Sequence, residues 1–149
     1  MKPNPKIDSA LHVLKGAVQK VLDTPLTTSV YAEGNKGRLT VEYEGNPSEE
    51  QIRDIEALAN QKISEDVPIE SVEMDRNEAE RKFGNAMYDK FPVPAHVRRL
   101  TIAIIQGWNV NCCLGTHVKS TGEIGPLKIT HHRARPARKE LEISFEAGQ

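Results

Sequence analysis

Within residues 9–22 the apolar side chains Ala10, Leu11, Leu14, Ala17, Val18, Val21 and Leu22 recur at intervals of three and four, the period of an amphipathic helix. Pro25 ends that helix soon afterwards. Residues 27–32 and 38–43 read as two strands around Gly34-Asn35-Lys36-Gly37, whose glycines supply the positive φ of a tight turn. At Pro47-Ser48-Glu49-Glu50-Gln51 the period returns to helical. Ser48 is the N-cap, Gln51 completes a capping box, and Ile52, Ile55, Leu58, Ala59 and Ile63 form the apolar stripe. Residues 67–74 alternate with one shift of phase, which predicts a bulged strand. A short helix over 77–83 follows, then a loop over 89–97 containing Pro92 and Pro94, then a β-branched run over 100–105 suited to a central strand. Residues 127–130 and 141–145 predict a closing hairpin. The order α-β-β-α-β-α-β-β-β has no repeat and no linker. It argues for the α+β class, a mainly antiparallel sheet with helices on one face, in one domain over residues 1–149.

Composition limits the classes of function. The chain has 149 residues, 38% hydrophobic and 5% aromatic, which suits one core. Its apolar stretches fall far short of the roughly 18 residues that span a bilayer, so no membrane association is expected. Residues 1–7 are polar, carry two prolines and lack the apolar run of a secretory signal, which makes the cytoplasm the expected location. Cys112 and Cys113 are adjacent and cannot form an unstrained disulfide, so these thiols are free, oxidised by another group, or bound to metal. The net charge of −1 hides a division. Residues 1–118 sum to −3, residues 119–139 to +5 and residues 140–149 to −3. The basic segment holds Lys119, Lys128, Arg133, Arg135, Arg138 and Lys139, with His131 and His132 among them. It reads either as a cationic strand face for a polyanion, or as a solvated hairpin balanced by Glu140, Glu142 and Glu146.

Two pairs of ligand-type side chains stand out, each with three residues between its members: Asp8 and His12, then Cys113 and His117. On a helix, positions i and i+4 share a face about 5–6 Å apart at Cβ, so Asp8 and His12 can converge on one ion. Lys15 and Gln19 continue that polar face, and Gly16 beside it permits close approach by a ligand or another backbone. Each residue also has an ordinary reading. Asp8 suits a helix N-cap, His12 a solvated surface position, Cys113 a small buried hydrophobe and His117 a local hydrogen bond. Taken together, mixed N, S and O donors at these spacings favour zinc.

The segment Ser9-Ala10-Leu11-His12-Val13-Leu14-Lys15-Gly16-Ala17 resembles the small freestanding alanyl-tRNA editing proteins and the editing domain of alanyl-tRNA synthetase. So do the Gly34-Asn35-Lys36-Gly37 turn, Phe91-Pro92-Val93-Pro94, and the stretch from Trp108-Asn109-Val110-Asn111 through Thr121-Gly122-Glu123-Ile124-Gly125-Pro126. The resemblance runs from Asp8 to about Phe145. It implies hydrolysis of the ester in mischarged tRNA(Ala), chiefly Ser-tRNA(Ala), at a zinc site made by two histidine-containing pairs. His12, Cys113 and His117 match that pattern. Asp8 stands where the family has a histidine. Three arrangements follow: ligation by Asp8, His12, Cys113 and His117 together, which is preferred; three ligands with Asp8 as a cap; or a weakened site. The resemblance also puts Thr27 at the position that recognises the serine hydroxyl. Charge alone nominates Lys15, Lys119, Arg133 and Arg135 as contacts to the tRNA acceptor end. The alternatives are an inactive tRNA-binding module, or an editing domain of other amino-acid preference as in threonyl-tRNA synthetase. A monomer or weak dimer without further domains is expected.

Overall fold

The computed structural model describes residues 3–23 and 26–148. Helix α1 (Pro5–Leu22) begins a turn before its first periodic apolar residue, because Asn4 and not Asp8 is the N-cap. The Asn4 side chain accepts from the Ile7 N–H, and Pro5 opens the first turn. Asp8 is therefore helical, its N–H bonded to the Asn4 carbonyl at 2.9 Å. At the other end Asp23 adopts the left-handed conformation and returns its N–H to the Gln19 carbonyl, while the expected terminator, Pro25, lies outside the described residues.

Strands β1 (Thr27–Glu33) and β2 (Lys36–Glu42) pair across Gly34-Asn35. Only Gly34 of the four expected turn residues has positive φ, the pattern of a type II′ turn. Gly37 belongs to β2 instead, where the Phe145 ring fills the place of a side chain. Helix α2 (Glu49–Glu65) starts with the predicted capping box of Ser48 and Gln51. Strand β3 (Glu70–Asp75) leads into α3 (Arg76–Phe83), a 3-10 turn at Gly84–Met87, and then β4 (Arg99–Ile105), β5 (Asn109–Cys112), β6 (Leu127–Arg135) and β7 (Glu140–Ala147).

The class is α+β and every strand pairing is antiparallel. The strands form two sheets, however, where the sequence order suggested one: β1-β2-β7-β6 and β3-β4-β5. Strand β5 was not anticipated, since Asn109-Val110-Asn111-Cys112 is too short to establish a period. Nor is β3 bulged. It pairs with β4 without a shift, and the change of phase arises because Ile69 precedes the strand and is buried in the main core.

Helices α1 and α2 pack on each other and on the four-stranded sheet, and α1 also meets β5. Residues 9–18 of α1 are consequently all buried. The main core joins α1, α2 and the four-stranded sheet, with Phe145, Ile143, Leu39 and Ile55 at its centre. A second cluster of Leu100, Ile102, Ile104, Ala79 and Met87 lies between the three-stranded sheet and α3. Strand β4 is buried on both faces, as its β-branched run predicts, because Ile105 joins the main core and its even-numbered residues join the second.

Candidate functional site

The polar stripe of α1 does not face solvent. Asn109 and Asn111 lie two apart on β5 and so point to one side of the strand, toward His12 and Lys15, which lie three apart on α1. The His12 ring bonds through Nδ1 to Asn109 Oδ1 at 3.0 Å. Burial above all, together with the charges of Lys15 and His117, drives the His12 pKa down to about 3 despite the Asn109 bond. The ring is thus neutral with its proton on Nδ1, and Nε2 keeps its lone pair. Lys15 is buried; its ammonium donates to Asn111 Oδ1 at 2.6 Å and lies 3.5 Å from the Asp89 carboxylate. The Asn111 amide donates in turn to the Met87 carbonyl and to Asp89.

Cys113 follows β5, its N–H bonded to the Thr101 carbonyl of β4. His117 is held beside α1 because the next residue, Val118, donates its N–H to the buried Ser9 hydroxyl at 2.9 Å. The Cys113 sulfur stands 3.6 Å from His117 Nε2, and the His12 and His117 rings meet edge to face with centroids 4.8 Å apart. His12, Cys113 and His117 each offer one donor atom, all within 4.8 Å of one another. Burial raises the Cys113 thiol while the Gly115 N–H, 3.4 Å from the sulfur, favours its thiolate. Burial also lowers the His117 pKa, so its ring too is a neutral donor. Two neutral imidazoles and one thiol at this separation suit zinc, which takes N and S donors and leaves a fourth position open at reactive centres.

The predicted site residues separate. Asp8 lies on the same face as His12 but outside the three-donor group, and burial raises its carboxyl pKa. The cleft lined by His12 and Cys113, with His117 outside its lining, measures about 320 Å³. It shares Asp8, Leu11 and Val30 with an adjoining groove of about 610 Å³ between the start of α1 and β1. Thr27 is buried at the start of β1, its carbonyl accepting from the Lys90 N–H, and it is not among the cleft lining. Lys15 lines the cleft floor and is not presented on the surface. Lys119 and Arg133 are exposed, whereas the Arg135 guanidinium bonds Glu142 at 2.9 Å. Strand β6 is the sheet edge opposite β1, so the basic strand is three strand spacings, about 15 Å, from the cleft side.

Sequence reasoning missed Asn109, Asn111, Asp89 and Ser9. An Asn-x-Asn on a strand is a one-faced polar pair, and that is the signal that was there to find. Gly16 accommodates neither a ligand nor a backbone: the Trp108 indole lies where its Cβ would be and donates to the Val13 carbonyl at 2.9 Å. The Thr121-Gly122-Glu123-Ile124-Gly125 segment fastens α2 and does not enter the cleft. The Thr121 hydroxyl donates to the Lys62 carbonyl and accepts from the Val67 N–H, and the Gly122 N–H bonds Asp66. Cys112 packs against the second core cluster, where burial pushes its thiol up to about 11. Among the described residues no helix is long and apolar enough to cross a membrane.

Residues 100–144, from β4 into β7, match the family described as the threonyl and alanyl tRNA synthetase second additional domain. The chain is 40% identical over 142 residues to an alanine-tRNA ligase of Methanopyrus kandleri, covering 95% of this chain and 15% of the ligase. It is 45% identical over 122 residues to that of Archaeoglobus fulgidus, covering 81% of this chain and 13% of the ligase. It is 35% identical over 142 residues to that of Korarchaeum cryptofilum, covering 94% and 15%. The chain thus spans about one seventh of the ligases it matches. The similarity covers α1 as well as the matched strands, so both halves of the donor cluster fall within it, and the chain is a relative of the alanyl-tRNA synthetase editing domains.

Proposed function

We propose that this chain hydrolyses the ester of mischarged tRNA(Ala), with Ser-tRNA(Ala) as its preferred substrate, acting in trans with zinc held by His12, Cys113 and His117. The observation that carries this reading is the convergence of those three side chains, from α1 and from the segment after β5, to within 4.8 Å of one another beside a cleft that His12 and Cys113 line. Bound zinc would supply Lewis acidity beside the ester. The protein's own residues supply the rest. Asn109 fixes the proton on His12 Nδ1, Ser9 holds the His117 segment, and Leu11 and Val30 wall the cleft. The aminoacyl group fits the smaller cleft and the terminal nucleoside the adjoining groove. Lys15, Asp89 and Asn111 line the cleft with hydrogen-bonding groups and are the candidates for binding a serine hydroxyl, whereas Thr27, the position the resemblance nominates, lies outside the lining. A site built to bond that hydroxyl leaves a buried partner unpaired when alanine enters, which spares the correct ester. Lys119 and Arg133, both exposed, are available to phosphates of the acceptor stem.

The test is deacylation of Ser-, Gly- and Ala-tRNA(Ala) by the wild type and His117→Ala, with metal content measured on the same samples. The expected result is about one zinc per chain, faster cleavage of the seryl ester than of the alanyl ester, and loss of both metal and cleavage in His117→Ala. Zinc-loaded protein that cleaves none of the esters would overturn the reading and leave a tRNA-binding module. Equal cleavage of the seryl and alanyl esters would overturn the selectivity.

A further inference from the structure

We propose that the Asp8 carboxylate is not a fourth metal ligand but the anchor for the α-ammonium group of the aminoacyl ester, so that the cleft selects esters carrying a free amine. This rests on the ester-hydrolase reading above.

Four observations converge on it. Asp8 lies one helical turn before His12 on the same face of α1, yet it stands outside the group formed by His12, Cys113 and His117. It lines both the cleft and the adjoining groove, and so marks their junction, which a substrate bridging the two must pass. Its charge is unmatched: among the described residues no donor or cation pairs with the Asp8 side chain, and Lys15, the next cation along that face, is held by Asn111 and Asp89. Finally, the space beside it is kept open by a glycine. A Cβ built on Gly115 would lie 3.1 Å from Asp8 Oδ2 and 3.4 Å from Cys113 Sγ, so any side chain there would crowd the gap between carboxylate and sulfur.

A part-buried carboxylate without a partner loses hydration and gains nothing in return until a cation arrives. In an aminoacyl ester the ammonium nitrogen sits on the carbon next to the scissile carbonyl. A carboxylate one helical turn, about 5–6 Å at Cβ, from a donor residue can therefore hold the ammonium while the carbonyl lies over the donors. The favourable effect of a negative charge near a helix N-terminus explains an acidic residue in the first turn of α1, but not its orientation into the cleft.

The experiment compares two non-hydrolysable ligands bound by zinc-loaded protein: 3′-serylamido-adenosine, and its counterpart in which hydrogen replaces the amine. Affinities are measured by calorimetry for wild type, Asp8→Asn and Asp8→His, with zinc affinity measured by chelator competition and folding checked by circular dichroism. Wild type is expected to favour the amine ligand at least about tenfold, the scale of a charge-assisted bond. Asp8→Asn is expected to lose that preference while keeping the zinc affinity. Asp8→His is expected to lose the preference and to bind zinc more tightly. Loss of zinc in Asp8→Asn would show that Asp8 is a ligand, and an amine preference unchanged in Asp8→Asn would place the anchor elsewhere; either overturns the proposal. Wild type that binds neither ligand would fail the ester-hydrolase reading and this proposal with it.

Discussion

A neutral imidazole ligates only through the nitrogen that lacks a proton, so the partner of the other nitrogen decides whether His12 serves as a donor at all. That partner is Asn109, 97 positions away in sequence. Asn109→Ala is expected to weaken zinc binding about 10–100-fold, as loss of a residue orienting a ligand commonly does, with little change in far-ultraviolet circular dichroism. An unchanged zinc affinity by chelator competition would show that His12 needs no such support. The two donor pairs were legible from spacing, since a helix places residue 12 over residue 8 and a short connection limits how far residue 117 strays from residue 113. That Asp8 stands apart from the other three was not legible, because the position of a side chain relative to a donor on another segment depends on how α1 packs against β5.

At the scale of the element, α1 shows why a polar stripe on a helix does not guarantee exposure. The stripe of His12 and Lys15 is matched by the Asn109 and Asn111 face of β5, and the two are pressed together where Trp108 lies flat on Gly16. Gly16→Ala would put a methyl group 2.3 Å from the indole nitrogen of Trp108. It is expected to destabilise the fold by about 1–3 kcal/mol, the usual scale of overpacking, seen as a lower urea midpoint. A wild-type midpoint would mean that the Trp108 turn yields freely. Helix α3 is tied to its surroundings through charge. The Tyr88 hydroxyl donates to the Glu80 carboxylate at 2.6 Å and, with help from Arg76, holds the Glu80 carboxyl below its ordinary 4.5. Because the folded-state pKa is the lower one, this contribution is complete above pH 4.5 and is lost as the pH falls further. Glu80→Gln should therefore unfold at lower urea than wild type at pH 7, with a gap that narrows below pH 4.5; an equal gap at pH 7 and pH 4 would show that the carboxylate charge is not responsible.

Across the whole molecule, the near-neutral total conceals a basic strand placed on the far edge of the four-stranded sheet from the cleft. Its cations are not equivalent, since Arg135 is held by Glu142 and Lys139 by Glu44, while Arg133 is exposed. Arg133→Ala is expected to weaken binding to a tRNA acceptor-stem helix and to reduce the dependence of log Kd on log salt by about one. Arg135→Ala should change that dependence less, and the reverse order would show that the Glu142 pair opens on binding. The sequence alone determined what depends on near neighbours: the capping box of α2, the apolar stripes of α1 and α2, the hairpin turn at Gly34, the β-branched centre of β4 and the spacing of the donor pairs. Only the tertiary structure decided that the strands divide into two sheets, that the polar face of α1 is buried against β5, which three of four donors converge, and which cations remain unpaired. Each of these follows from packing between segments up to a hundred residues apart, for which local periodicity carries no information.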